Sequence, residues 1–111
     1  MTDKVLSLVT CKRYVRNRDI WDLCWLKRQG AEFNIDWLKN KIQDYKIDNY
    51  NKDLTSMQAR LPEIISGDAF LNEISRFIPV VAQEQTIKKE KYRIYLTNEL
   101  QSILGQVKSC L

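Results

Sequence analysis

Histidine is the most consequential absence from this 111-residue chain, which contains none. Without an imidazole the chain cannot use a histidine general base, a Ser-His or Cys-His nucleophile, or a histidine-ligated metal. Glycine is also scarce, and the three glycines at 30, 67 and 105 stand alone. Isolated glycines cannot form the loop that brings several backbone amides close to a phosphate, so a P-loop is excluded. Few classes of enzyme are therefore open to this chain by itself.

Membrane-spanning stretches and paired cysteines are missing as well. Apolar runs such as 77–82 are far shorter than the roughly 20 residues that cross a bilayer, and the first residues lack the plan of a signal peptide. Cys11, Cys24 and Cys110 show no paired spacing, which predicts reduced thiols and no zinc site. We therefore expect a cytoplasmic protein with no membrane partner, and no metal or other cofactor bound by this chain alone.

The residues that are present predict an all-α fold, a single compact bundle of five to six helices in one domain over 1–111. Apolar residues make up 44% of the chain and include 10% aromatics, which is enough to form a core. They recur at helical spacing along most of the sequence. The net charge of +4 is spread along the chain in both signs, so it allows a nucleic-acid partner without requiring one.

Capping residues predict where the first helices begin and end. Thr2 is expected to cap a helix over about 3–13 and Asn17 a second helix, after which Gly30 takes the position that follows a helix end. Asn34 is expected to cap the third.

Later boundaries are less regular. The polar segment 46–53 predicts a loop that closes on Asp53 as the next cap. Pro62 predicts that the following helix stops or kinks near Arg60. The segment 80–86 fits either a loop or the start of a long terminal helix, which is clear from about residue 88.

The segment 17–26 has the most unusual pattern. On a helix, Arg18, Asp19 and Asp22 share one narrow arc, and apolar side chains occupy most of the remaining circumference. This predicts a helix buried nearly all round, whose carboxylates need cations or a polar cleft. Asp19 is also explained by the helix dipole or by an ion pair, whereas Asp22 has only Arg18 four residues earlier. Lys4 follows an apolar stripe and either reaches solvent from a helix end or points into a site.

Two segments of this sequence carry a family resemblance. They are Asp3–Leu8 (DKVLSL) and Arg18–Leu23 (RDIWDL), with fifteen residues from Lys4 to Asp19. Together they resemble the acidic-Lys-apolar-x-Ala-Leu and Arg-Asp-apolar-aromatic-Asp-Leu segments of AbiEii-type nucleotidyltransferase toxins, which belong to type IV toxin-antitoxin and phage abortive-infection systems. Ser7 stands where that family often has alanine. The match covers the first quarter of the chain.

The resemblance implies roles for these residues. Lys4 would contact the nucleotide phosphates, one of Asp19 and Asp22 would be catalytic and the other would hold the helix in place, and Arg16 and Arg18 would contact nucleotide or RNA. The complete enzyme would use Mg²⁺ and a nucleoside triphosphate.

The same resemblance implies what this chain does not supply. The family's glycine turn and its Asp-x-Asp metal pair occur nowhere in these 111 residues. The chain would thus correspond to the helical C-terminal part of such an enzyme, as a truncated or split fragment that is inactive alone. Its partners would be the missing N-terminal nucleotidyltransferase half, an antitoxin and an RNA acceptor.

Two other functions fit the residues. One is a small helical protein-interaction or dimerisation module without catalysis, in which an apolar stripe near the C-terminus (Leu104, Val107, Cys110 and Leu111) binds a partner or forms a homodimer. The other is a weak RNA-binding domain that uses basic residues in 12–18 and 88–93. The second basic segment is more typical of a solvated helix face.

Overall fold

Helices account for most of the residues in the computed structural model, which describes 1–47 and 49–111. Within this part of the chain there are seven helices: α1 (Thr2–Thr10), α2 (Asn17–Arg28), α3 (Ile35–Asp44), α4 (Tyr50–Ser66), α5 (Asp68–Ser75), α6 (Val80–Gln85) and α7 (Glu90–Cys110). No strand occurs in these residues, so the predicted all-α class is confirmed. The count exceeds five to six because 80–86 is neither a loop nor part of the terminal helix, but contains the separate short helix α6.

Caps near the start of the chain agree only in part with the sequence pattern. Gly30 follows α2 with a φ of +84°, the left-handed backbone expected there, and the Asn34 side chain accepts the Trp37 N–H at 3.0 Å. Thr2 does not cap α1, because Met1 holds that position. The Thr2 hydroxyl instead accepts the backbone N–H of Asn34 at 2.8 Å and so fastens the start of α3 to α1.

Three further boundaries differ from the prediction. Helix α1 ends at Thr10, three residues early, and Asn17 is the first residue of α2 with Arg16 at the capping position. Helix α4 begins at Tyr50, and its cap is Asn49, not Asp53. Of the loop predicted over 46–53, Asp48 lies outside the described residues.

Pro62 lies inside α4, which continues to Ser66, so of the two predicted alternatives the stop at Arg60 is wrong. A proline has no N–H to give to the carbonyl four residues earlier, which is that of Gln58. That carbonyl accepts from the Gln101 side chain of α7 at 3.4 Å, and the Gln58 side chain donates to the Gln101 carbonyl at 3.1 Å. A tertiary contact thus replaces the missing helical bond.

Helix α7 packs along α4. It has its most extensive contact with α4 and also packs on α2, while α1 lies against α2, α3 and α4. Leu96, Leu100 and Ile103 of α7 are fully buried. Of the apolar stripe near the C-terminus, Leu104 and Val107 belong to the core as well, and Cys110 and Leu111 are exposed.

The pattern of α2 predicts a helix that is buried nearly all round, and this is wrong. Ile20, Leu23 and Cys24 face the core, but Trp25 is 57% exposed. Trp21 is half-buried, with its ring centroid 6.0 Å from that of Tyr92 on α7. Neighbours on α1, α5 and α7 cover one side of α2 and leave the other open.

Candidate functional site

The two segments singled out by the sequence meet where α1 packs on α2. Lys4 Nζ lies 3.0 Å from Asp22 Oδ2 and 3.6 Å from Asp19 Oδ1. Arg16 donates from Nε to Asp19 Oδ2, and Arg18 Nε lies 3.9 Å from Asp22 Oδ2. These five residues line one open cleft of about 300 Å³, together with Tyr14 and Glu73. We refer to it as the α1–α2 cleft.

The two aspartates differ in burial, which the sequence pattern did not rank. Asp22, for which the sequence offered only Arg18 as a partner, has a side chain that is 28% exposed, whereas that of Asp19 is 6% exposed. A buried carboxylate is costly unless it is paired, and Asp19 has both Arg16 and Lys4 as cationic partners. The hydrogen bond and charge of Asp19 raise the pKa of the Arg16 guanidinium above its ordinary value. Asp19 is therefore held in place, and Asp22 is the more accessible group.

The connection between α1 and α2 contains three basic residues, Lys12, Arg13 and Arg16, and they differ in their partners. Arg16 pairs with Asp19, whereas Lys12 Nζ lies 2.8 Å from Asp53 of α4. Arg13 forms no ion pair within the described part of the chain. The connection therefore divides its cations between the α1–α2 cleft and the opposite side of the loop.

Helix α5 contributes residues that sequence reasoning missed. Asn17 Nδ2 donates to Glu73 Oε2 at 2.7 Å, which ties the start of α2 to α5, while the buried Asn17 Oδ1 has no partner among the described residues. The Arg18 guanidinium carbon lies 4.5 Å from the ring centroid of Phe77, just after α5. Glu73 lies 56 residues from Asn17 in the chain, and no local spacing signals such a contact.

The α1–α2 cleft has balanced charge. Its lining contains the cations Lys4, Arg16 and Arg18 and the carboxylates Asp19, Asp22 and Glu73. It therefore has no excess of positive charge with which to attract a triphosphate.

These carboxylates do not fit a magnesium site, because Asp19 and Asp22 are each engaged by an ammonium or guanidinium group. Among 1–47 and 49–111, no group of three or more histidine, cysteine or acidic side chains is placed to hold a metal ion. What the cleft can present is an ammonium and a carboxylate in contact on an accessible surface.

The second basic segment, 88–93, contributes no residue to the cleft. Its one aromatic side chain, Tyr92, packs against Trp21 and is half-buried, so it is not free to stack on a base. Its lysines are exposed on the surface of α7 and the turn before it.

Comparison with known proteins identifies no relative: no family model, curated protein or solved structure matches this chain. Across the residues described, none of the helices combines the length and apolar character needed to cross a bilayer.

Proposed function

We propose that this chain is the helical half of a composite nucleotidyl-transfer site, to which it contributes Lys4 and Asp22. The observation that carries this proposal is the 3.0 Å contact between Lys4 Nζ and Asp22 Oδ2 in an open cleft. These residues belong to the two segments that resemble the AbiEii-type toxins, and a shared site requires them to be close. A polymerase-β-like half would supply the glycine turn and the carboxylates that hold Mg²⁺, and an RNA would be the acceptor.

Each residue has a role that its surroundings support. An ammonium group has three N–H donors, and Asp22 is the one carboxylate within hydrogen-bond distance of Lys4 Nζ, since Asp19 lies 3.6 Å away. Donors therefore remain for a phosphate oxygen, and the Lys4 side chain is exposed enough to reach one. Asp22 orients the ammonium from the accessible side of the cleft and is the catalytic candidate. Asp19 is a positioning residue, since it is buried and bonded to Arg16.

The charge balance of the cleft explains why we expect no transfer by this chain alone. A nucleoside triphosphate brings several negative charges, and the three cations of the cleft already face three carboxylates. Magnesium bound by the other half would neutralise those phosphates when the two halves are joined. Arg16 and Arg18 would then lie at the rim, where they can contact nucleotide or RNA.

Reconstitution tests this proposal. The chain is mixed with a polymerase-β-like domain of the AbiEii type, Mg²⁺, labelled nucleoside triphosphates and RNA, and transfer of label to RNA is measured. We expect transfer only in the mixture, and a loss of about 100-fold or more in Lys4→Ala and Asp22→Asn, because both lose interactions made to the reacting groups.

The ion pair between Lys27 and Glu99 provides a matched control. Its Nζ–Oε2 distance is 2.9 Å, and its side chains are about as exposed as those of Lys4 and Asp22. Lys27→Ala and Glu99→Gln should leave transfer unchanged.

Full transfer in Lys4→Ala and Asp22→Asn would contradict the proposal. If those fully active variants were also less stable than the wild type, the ion pairs of Lys4 and Asp22 would serve only to fasten α1 to α2. A helical interaction module would then be the better explanation, and the exposed side chains of Phe77, Val80 and Val81 would be its candidate surface.

A further inference from the structure

A second cavity lies on the other side of the α1–α2 connection, and the proposed function does not use it. It has a volume of about 240 Å³, and its walls come from 11–15 and from one face of α4 that includes Asp53, Ser56 and Arg60. Tyr14, which is 60% exposed, lines both this cavity and the α1–α2 cleft. We refer to the cavity as the basic pocket.

The basic pocket has an excess of positive charge. Its lining contains three cations, Lys12, Arg13 and Arg60, and one carboxylate, Asp53. The Lys12–Asp53 ion pair at 2.8 Å cancels one charge of each sign. Neither Arg13 nor Arg60 forms an ion pair in the described part of the chain, so two guanidinium charges remain. The α1–α2 cleft, by contrast, is balanced.

Hydroxyl donors accompany these charges. Tyr14 Oη accepts from Arg16 Nη1 at 3.4 Å, which leaves its own proton free to donate elsewhere. The exposed Ser56 lines the same cavity. A guanidinium is a planar fork whose N–H groups match two oxygens of a phosphate at once. The pocket thus offers several hydrogen-bond donors, and its one carboxylate, Asp53, is already paired with Lys12.

We propose that the basic pocket binds a terminal phosphate group, that is, a phosphomonoester or inorganic phosphate. Such a group has a charge of about −1.5 to −2 at pH 7, which matches the two unpaired guanidinium groups. A phosphodiester or a carboxylate has a single negative charge and would neutralise only one of them. This inference is independent of nucleotidyl transfer, since it uses different residues and a different measurement.

Nuclear magnetic resonance of the ¹⁵N-labelled chain tests the proposal. Inorganic phosphate is titrated at pH 7.5 and low salt, and we expect saturable shifts of the amides in 11–15 and 53–60. Dimethyl phosphate, a monoanionic diester, should bind at least about tenfold more weakly, because one charged contact is worth about that factor. Phosphate itself should bind more weakly at pH 5, where it is a monoanion.

Arginine variants supply the matched controls. Arg13→Gln and Arg60→Gln should each weaken phosphate binding by about tenfold, and the double variant should abolish it. Both side chains are exposed, so the fold should be retained. Arg76→Gln removes the same charge from an exposed arginine that lines neither the pocket nor the cleft, and it should bind phosphate as the wild type does.

Three results would overturn the proposal: no saturable binding of phosphate, undiminished binding by the double variant, or equal affinity for dimethyl phosphate. Competition identifies the source of the phosphate. A 5′-phosphorylated RNA oligonucleotide that displaces phosphate, when its unphosphorylated form does not, indicates a nucleic-acid end. Displacement by a nucleoside monophosphate but by neither oligonucleotide indicates a small phosphate ester.

Discussion

At the scale of single residues, Asp19 shows how burial and pairing decide which carboxylate is structural. The sequence pattern places Asp19 and Asp22 on one arc of a helix and does not say which is covered. In the structure, Asp19 lies beneath the α1–α2 connection with Arg16 and Lys4 as its partners, while Asp22 faces solvent. Because a buried charge without a partner is costly, we expect Arg16 to contribute more to the stability of the fold than Arg18 does.

Removing each arginine in turn tests this difference. Arg16→Met keeps an apolar stem but leaves Asp19 with Lys4 alone, at 3.6 Å, and we expect a loss of about 2 kcal/mol or more in the free energy of unfolding. Arg18→Met should change it by at most about 1 kcal/mol, because Arg18 is exposed, its nitrogen lies 3.9 Å from Asp22, and its contact with the Phe77 ring lies at the surface. Urea unfolding followed by circular dichroism measures both values. Equal losses would mean that Asp19 does not depend on Arg16.

At the scale of whole elements, α4 and α7 show where local rules are overridden. Pro62 predicts that α4 stops or kinks, yet α4 continues past it, and the Gln58 carbonyl that Pro62 leaves without a helical donor has a partner on α7. The apolar face of α7, by contrast, follows directly from helical spacing, and Leu96, Leu100, Ile103 and Val107 are buried on it. Local pattern is reliable when an element must bury one face, and it fails when a neighbouring element satisfies the exceptional group.

The two helix-associated glycines provide a prediction at this scale. A Cβ on Gly105, inside α7, would meet only the flexible Gln58 side chain at 3.4 Å, so Gly105→Ala should stabilise the chain by about 0.5–1 kcal/mol. A Cβ on Gly67 would meet the carbonyl oxygens of Glu63 and Ile64 at 3.3 and 3.4 Å, and backbone atoms do not yield easily. Gly67→Ala should therefore give no gain. Thermal unfolding measures the stability of both variants against the wild type. A stabilised Gly67→Ala would show that the two carbonyl oxygens do not restrict a side chain at this position.

At the scale of the whole molecule, burial shifts several titrating groups in the same direction. Burial raises the pKa of the Cys24 thiol and of the Tyr50 and Tyr92 hydroxyls. In the unfolded chain these groups lose their protons near pH 8.5 for cysteine and pH 10 for tyrosine, whereas the folded chain retains them. Unfolding therefore releases protons, and the stabilising contribution, complete below those pH values, is lost as the pH rises toward the folded pKa values.

Tyr50→Phe isolates one of these groups. Tyr50 is 4% exposed, and its hydroxyl has no hydrogen-bond partner among the described residues, so its removal should stabilise the fold by about 1 kcal/mol at pH 7. Above pH 10 the advantage over wild type should grow by up to about 1.4 kcal/mol per pH unit. Urea unfolding at pH 7 and pH 10.5 measures it, with exposed Tyr45→Phe as the control. An advantage that does not grow with pH would contradict the assignment.

The sequence by itself determined the helical class and most of the core, because these follow from spacing along the chain, whereas for Lys4 it left open whether the side chain reaches solvent or points into a site. It also indicated the caps at Gly30 and Asn34, whose backbone requirements are local. Only the tertiary structure decided that Asp19 and not Asp22 is buried, that Glu73 joins the cleft, and that Arg13 and Arg60 share a pocket. These features depend on contacts between residues far apart in the chain, and the local spacing of apolar and polar residues does not predict such contacts.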